Sequence, residues 1–125
     1  MLQLIAIAIG GALGSVARFL AANMIALHIG TRFPYGTLMV NLVGSFLIGL
    51  TYILIVEKFK LSAEVRGLVM VGFLGAFTTF STFSLELLDM LKSGALVGAG
   101  FYLALSVVVG VVNVWLGMQL GKNLF

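Results

Sequence analysis

The sequence predicts an all-α integral membrane protein of four transmembrane helices, and three observations predict it. Hydrophobic residues make up 62% of the 125 and charged residues only 9%, whereas soluble domains run at roughly half apolar and about a quarter charged. The few charges gather between long apolar stretches. Four of those stretches reach the ~20 residues that a helix needs to cross roughly 30 Å of hydrocarbon. The helices are expected at about 2–28, 34–57, 63–92 and 94–122, in a single membrane domain covering 1–125. The connections at 28–32, 57–62 and 92–94 are too short to hold a second domain.

The first helix opens MLQLIAIAIGGALG with no basic segment ahead of the apolar run. It is therefore expected to stay as a helix rather than be cleaved as a signal peptide. Gly10 and Gly14 lie four apart on one face, as do Gly94 and Gly98, Gly117 and Gly121, and the small pair Ser45 and Gly49. Such faces let backbones approach closely in lipid, where burial of oily side chains gives little drive for association. Arg18 falls about two-thirds along the first helix. Its position leaves two readings open, snorkelling to an interface or facing a water-filled vestibule. His28 near the helix end is read as interfacial.

Pro34 sits where it can start the second helix without breaking it. Asn41, about two turns further on, offers amide donors and an acceptor at membrane depth. Both an interhelical hydrogen bond and a functional contact remain open for it. Ser62 precedes Ala-Glu-Val-Arg and reads as an N-cap, with Glu64 in the first turn of the third helix. In the fourth helix, Trp115 needs no role beyond packing or the aromatic belt.

The third helix stands apart. From Gly72 to Ser84 it reads GFLGAFTTFSTFS, with Phe77, Phe80 and Phe83 three apart among five hydroxyl residues. Gly75 and the β-branched pair Thr78 and Thr79 make a poor helix interior, so a break is expected near 75–79. At mid-membrane a break frees carbonyls, which is tolerable only where protein, water or an ion supplies partners. A phenylalanine stripe is ordinarily packing. Beside a break and hydroxyls it becomes a candidate ion path, because ring edges carry positive potential and hydroxyls donate to anions.

Several classes are excluded. With no cysteine and only His28, neither thiol chemistry nor a transition-metal cluster is available. The net charge of +3 comes from scattered residues, with no patch to track nucleic acid. No nucleophile with an adjacent base is found, so the chain is not read as an enzyme. Lys58, Lys60, Arg66 and Lys122 fall on one side of the four spans and Arg32 and Lys92 on the other. Four against two is a weak bias: it invites insertion in both orientations, while charge alone slightly favours an ordinary single topology with both ends cytoplasmic.

The segments GGALGSVAR at 10–18, GTLMVNLVGSFLIG at 36–49 and GFLGAFTTFSTFS at 72–84 resemble the signatures of the Fluc fluoride channels, also called CrcB. The likeness runs over nearly the whole chain, and its third motif is the specific one. The resemblance implies a fluoride-selective channel that lowers intracellular fluoride by passive flow across the inner membrane of a bacterium. It implies an antiparallel, dual-topology homodimer with two pores. By matching position, Phe80 and Phe83 are the residues expected to contact fluoride, with Asn41 beside the pore. Thr79, Ser81 and Ser84 share the hydroxyl-rich segment, and Tyr102 and Ser106 resemble the start of a hydroxyl track on the fourth helix. Gly110 stands where a further hydroxyl is sometimes found. Arg18 matches a vestibule arginine and Glu86 an acid just beyond the phenylalanines. A structural sodium ion at the dimer centre is expected on backbone carbonyls, here those of Gly75 and Thr78. The main rival is a proton-coupled exporter of the small multidrug type, which needs a carboxylate deep in the membrane. Glu86 and Asp89 come late in the third helix, and the first helix has no acid.

Overall fold

A computed structural model describes residues 1–124. It contains helices and connections, with no strand among the described residues. Helix α1 is Leu2–Ile29 and α2 is Tyr35–Lys58. The third span, Ala63–Lys92, consists of α3 (residues 63–77) and α4, Phe80–Lys92. The fourth span, α5, is Leu96–Asn123. All four spans are long and apolar enough to cross a membrane.

Their ends follow local chemistry. Gly30 closes α1 at φ 101°, in the left-handed region that glycine enters without a Cβ clash. Helices α2 and α5 start without a side-chain cap, each on a tight turn. Pro34 (φ −77°, ψ 62°) and Ala95 (φ −80°, ψ 62°) are inverse γ-turn centres, closed by Tyr35 N–H to the Phe33 carbonyl at 2.7 Å and Leu96 N–H to the Gly94 carbonyl at 2.9 Å. Gly94 takes φ 83° in that turn, and a Cβ built on it would meet nothing, so it does not form a packing face with Gly98. Ser62 does cap α3, accepting from Val65 N–H at 3.3 Å. Wide π-helical turns occupy Tyr52–Lys58, Gly67–Leu74 and Leu105–Val109.

Two helix pairs dominate the packing, α1 with α3 and α2 with α5. Glycines set both approaches. A Cβ on Gly10 or Gly14 would collide with the Leu68 or Phe73 carbonyl, and one on Gly49 or Gly117 with the Val114 or Phe46 carbonyl. Backbones in contact leave little room for an oily core. The interior cluster is Leu38, Phe83 and Tyr102, flanked by Phe33, Leu42, Leu87, Met90 and Leu105. Leu13, Phe19, Val111 and Trp115 all point outward, the inverse of a soluble protein and the arrangement that lipid favours. At one end, Lys58 Nζ donates to the Lys122 carbonyl at 3.1 Å and to the Leu124 carbonyl, tying α2 to the end of α5.

Candidate functional site

Between α3 and α4 the backbone leaves the helical region. Thr78 (φ −91°, ψ 158°) and Thr79 (φ −150°, ψ 120°) are extended. Each peptide group released there needs a partner. Asn41 on α2 supplies two, donating Nδ2–H to the Thr79 carbonyl at 3.0 Å and accepting Thr79 N–H on Oδ1 at 2.8 Å. Its carboxamide thus pairs with Thr79 as a neighbouring strand would. Arg18 Nε donates to the Ala76 carbonyl at 2.9 Å. Thr79 Oγ1 caps α4 by accepting Thr82 N–H at 3.2 Å and lies 3.5 Å from Ser81 Oγ. Thr78 Oγ1 bonds back to the Leu74 carbonyl at 3.0 Å.

These side chains divert donors. In an unbroken helix the Gly75 carbonyl would receive Thr79 N–H, and the Thr78 carbonyl would receive Thr82 N–H. The first donates instead to Asn41 and the second to Thr79 Oγ1. Gly75 and Thr78 border a cavity of about 210 Å³ shared with Asn41, Gly44, Ser45 and Leu74.

The break also splits the phenylalanine stripe. Phe77 stacks on Phe73 within α3, with centroids 5.8 Å apart. Phe80 is 79% exposed, whereas Phe83 is 7% exposed and meets Tyr102 edge-on at 5.0 Å. Phe80 and Phe83, 5.8 Å apart, share a cavity of about 240 Å³ with Asn41, Thr78, Thr79, Ser106 and Val107. Ser106 Oγ is buried without a hydrogen-bond partner in the chain. Aromatic rings and a hydroxyl without a partner are thus gathered at one cavity, groups that can supply positive edges and a donor to an anion. Ser81 is exposed and Ser84 half-buried, and neither borders this cavity.

Tyr102 is fully buried and donates its hydroxyl to Glu86 Oε1 at 3.2 Å. A third cavity, of about 340 Å³, is bordered by Arg32, Phe33, Thr37, Glu86 and Asp89. Gly110 is buried, and a Cβ built on it would lie 3.7 Å from Ser45 Oγ, so a hydroxyl from α2 already stands near that gap.

Three participants escaped the sequence reading. Asn113 Nδ2 donates to the Leu42 carbonyl at 2.9 Å, beside Asn41, and its signal was a polar residue inside an apolar run. Thr37 is buried and borders the same cavity as Glu86, and Phe33 packs edge-on against the Tyr102 ring at 5.5 Å. Nothing local in the sequence singled out either.

Comparison with known proteins gives a consistent result. The family model described as CrcB-like protein, Camphor Resistance (CrcB), matches residues 5–118. The fluoride-specific ion channel FluC of Hydrogenovibrio crunogenus is 50% identical over 125 residues, covering all of this chain and 95% of the relative. FluC of Agrobacterium fabrum is 45% identical over the full length of both. The Methylococcus capsulatus FluC is 48% identical over 98% of this chain, which spans 54% of that longer relative. Four apolar spans, glycine-set helix packing and the Asn41-clamped break thus sit in a chain that belongs to the CrcB family.

Proposed function

We propose that this multi-pass membrane protein is a fluoride channel and not an enzyme. The observation that carries the reading is the cavity at the break, bordered by Phe80, Phe83 and Ser106, the last with a hydroxyl that has no partner in the chain. Fluoride holds its water strongly, so a pore must replace that water with donors and positive edges in a low-dielectric passage. Relatives covering nearly the whole chain carry the name fluoride-specific ion channel. Arg18 and Glu86 belong to the approaches, with Thr79, Ser81, Ser84 and Tyr102 as further hydroxyls along the route.

The functional unit in this reading is an antiparallel homodimer with two pores, in the inner membrane of a bacterium, lowering intracellular fluoride. Near-balanced Lys and Arg support dual insertion. The outward-facing Phe80, 79% exposed on one chain, supports a pore wall completed by a second copy. A structural sodium ion fits the Gly75 and Thr78 carbonyls, since both have lost their helical donors and carbonyl oxygens suit a hard cation. When bound it would hold the two breaks together and add positive potential near the anion.

Fluoride efflux from liposomes holding only the purified chain tests the reading. Flux is expected without a pH gradient, and Phe80→Ile and Phe83→Ile are expected to cut it about tenfold or more while the dimer still elutes intact. Aliphatic swaps of similar bulk ordinarily cost less than about 1.5 kcal/mol of packing. Absence of flux from the wild-type chain, or full flux in both variants, would overturn the assignment.

A further inference from the structure

The rings of Phe80, Phe83, Tyr102 and Phe33 follow one another at centroid separations of 5.8, 5.0 and 5.5 Å. This series runs from the cavity at the break to the cavity bordered by Arg32, Glu86 and Asp89. Tyr102 joins Phe83, which borders the first cavity, to Phe33, which borders the second. It has no exposed surface, and its ring is met edge-on from both directions, by Phe83 at 64° and Phe33 at 74°. Phe83 is held by α4. Phe33 comes from the connection between α1 and α2, and its backbone is fixed by the turn at Pro34, whose bond accepts on the Phe33 carbonyl itself at 2.7 Å.

We propose that Phe33 is a positioning residue for ion passage, bracing the Tyr102 ring so that its hydroxyl stays on the Glu86 carboxylate. This rests on the fluoride-channel reading. The chemistry follows from charge. An unscreened carboxylate beside an anion's route repels the anion, and a donated hydroxyl draws off part of that charge. Glu86 borders the outer cavity and accepts from Tyr102 at 3.2 Å. Without the Phe33 ring, Tyr102 gains room to rotate toward the outer cavity and the bond to Glu86 is lost. Phe33 acts through Tyr102 and makes no contact with the ion itself.

A double-mutant cycle in liposomes decides it. Phe33→Leu is expected to lower fluoride flux about tenfold, the scale of one hydrogen bond to a charged group, with the dimer intact by size-exclusion chromatography. Phe33→Tyr keeps the ring and is expected to retain near wild-type flux. In a Glu86→Gln background there is no charge left to screen, so Phe33→Leu should cause only a small further loss. Equal fold-losses in the two backgrounds would show that Phe33 merely fills space and would overturn the proposal. Wild-type flux in Phe33→Leu would do the same. If Phe33→Leu does not assemble, Phe33→Met, unbranched and of similar bulk, carries the same cycle. Failure of the wild-type chain to conduct would count against the channel reading, a different result from failure of the cycle.

Discussion

The first and third spans have comparable apolar lengths, 28 and 30 residues, but they spend their backbones differently. Helix α1 runs unbroken from Leu2 to Ile29, its buried residues are Gly10 and Gly14, and its one charged side chain, Arg18, donates outward to a neighbour. The third span breaks at Thr78 and Thr79 and hands its peptide groups to side chains from α1 and α2. A helix that satisfies its own hydrogen bonds can serve as scaffold with almost any oily surface. One that does not must recruit specific partners, and those partners mark the working part of the molecule.

The contrast is sharpest where the scaffold itself is struck. Gly14→Leu would drive a side chain into the Phe73 carbonyl, and backbone cannot yield as a side chain tip can. Overpacking of this kind costs at least 1–3 kcal/mol as an order of magnitude. Loss of the folded protein in detergent is expected, together with all flux. A stable, conducting Gly14→Leu protein would mean that α1 and α3 do not pack by backbone contact.

Asn41→Ala probes the other regime. It removes both bonds to Thr79, at a cost of about 1 kcal/mol each and more where a buried group is left unpaired. The folded protein should survive with a lowered melting temperature, and fluoride flux should fall about tenfold or more. Asn41→Asp is the finer probe, because the carboxylate can still accept Thr79 N–H but cannot donate to the Thr79 carbonyl. Equal flux for Asn41→Ala and wild type would reduce the amide to an incidental contact.

The smallest effect comes from comparing two helix caps with the same chemistry. Ser62 caps α3 at the end of a connection and Thr79 caps α4 inside the third span. Ser62→Ala is expected to cost about 1 kcal/mol of stability and to leave flux unchanged. Thr79→Val, with a similar loss of one capping bond, should also depress flux, because Thr79 borders the cavity of Phe80 and Phe83. If the two variants conduct equally, the cap inside the span has no functional excess.

Much of this was legible in the sequence for physical reasons. Four spans follow from the lengths of the apolar runs, and the Ser62 cap from one hydroxyl followed by Glu64 and Arg66. Gly10, Gly14, Gly117 and Gly121 are buried where their spacing placed close approaches. Gly94 is not, since four-residue spacing says nothing about whether both residues lie inside the helix. Residue types also pointed to Asn41, Phe80 and Phe83, and the family resemblance to Ser106; one cavity gathers all four. The pairing of Asn41 with Thr79 was illegible because it joins residues 38 apart. Phe33 was illegible because an aromatic ring beside a proline is ordinary until the ring it braces is known. The opposite exposures of Phe80 and Phe83 depend on a chain direction that composition does not encode.

The wide turn at Gly67–Leu74 has a consequence for inheritance. Within an oily stretch, one apolar residue exchanged for another changes little that the lipid senses. The number of residues is a different matter. Each residue advances a helix by about 100°, so the count between the Ser62 cap and Thr79 determines whether Thr79 faces Asn41 or the bilayer. A π-helical stretch holds one extra residue in its turn, and shortening the chain there would rotate the whole break. Length in this segment is therefore under a constraint that its letters are not, and an alignment gap there would report a change of azimuth at the break.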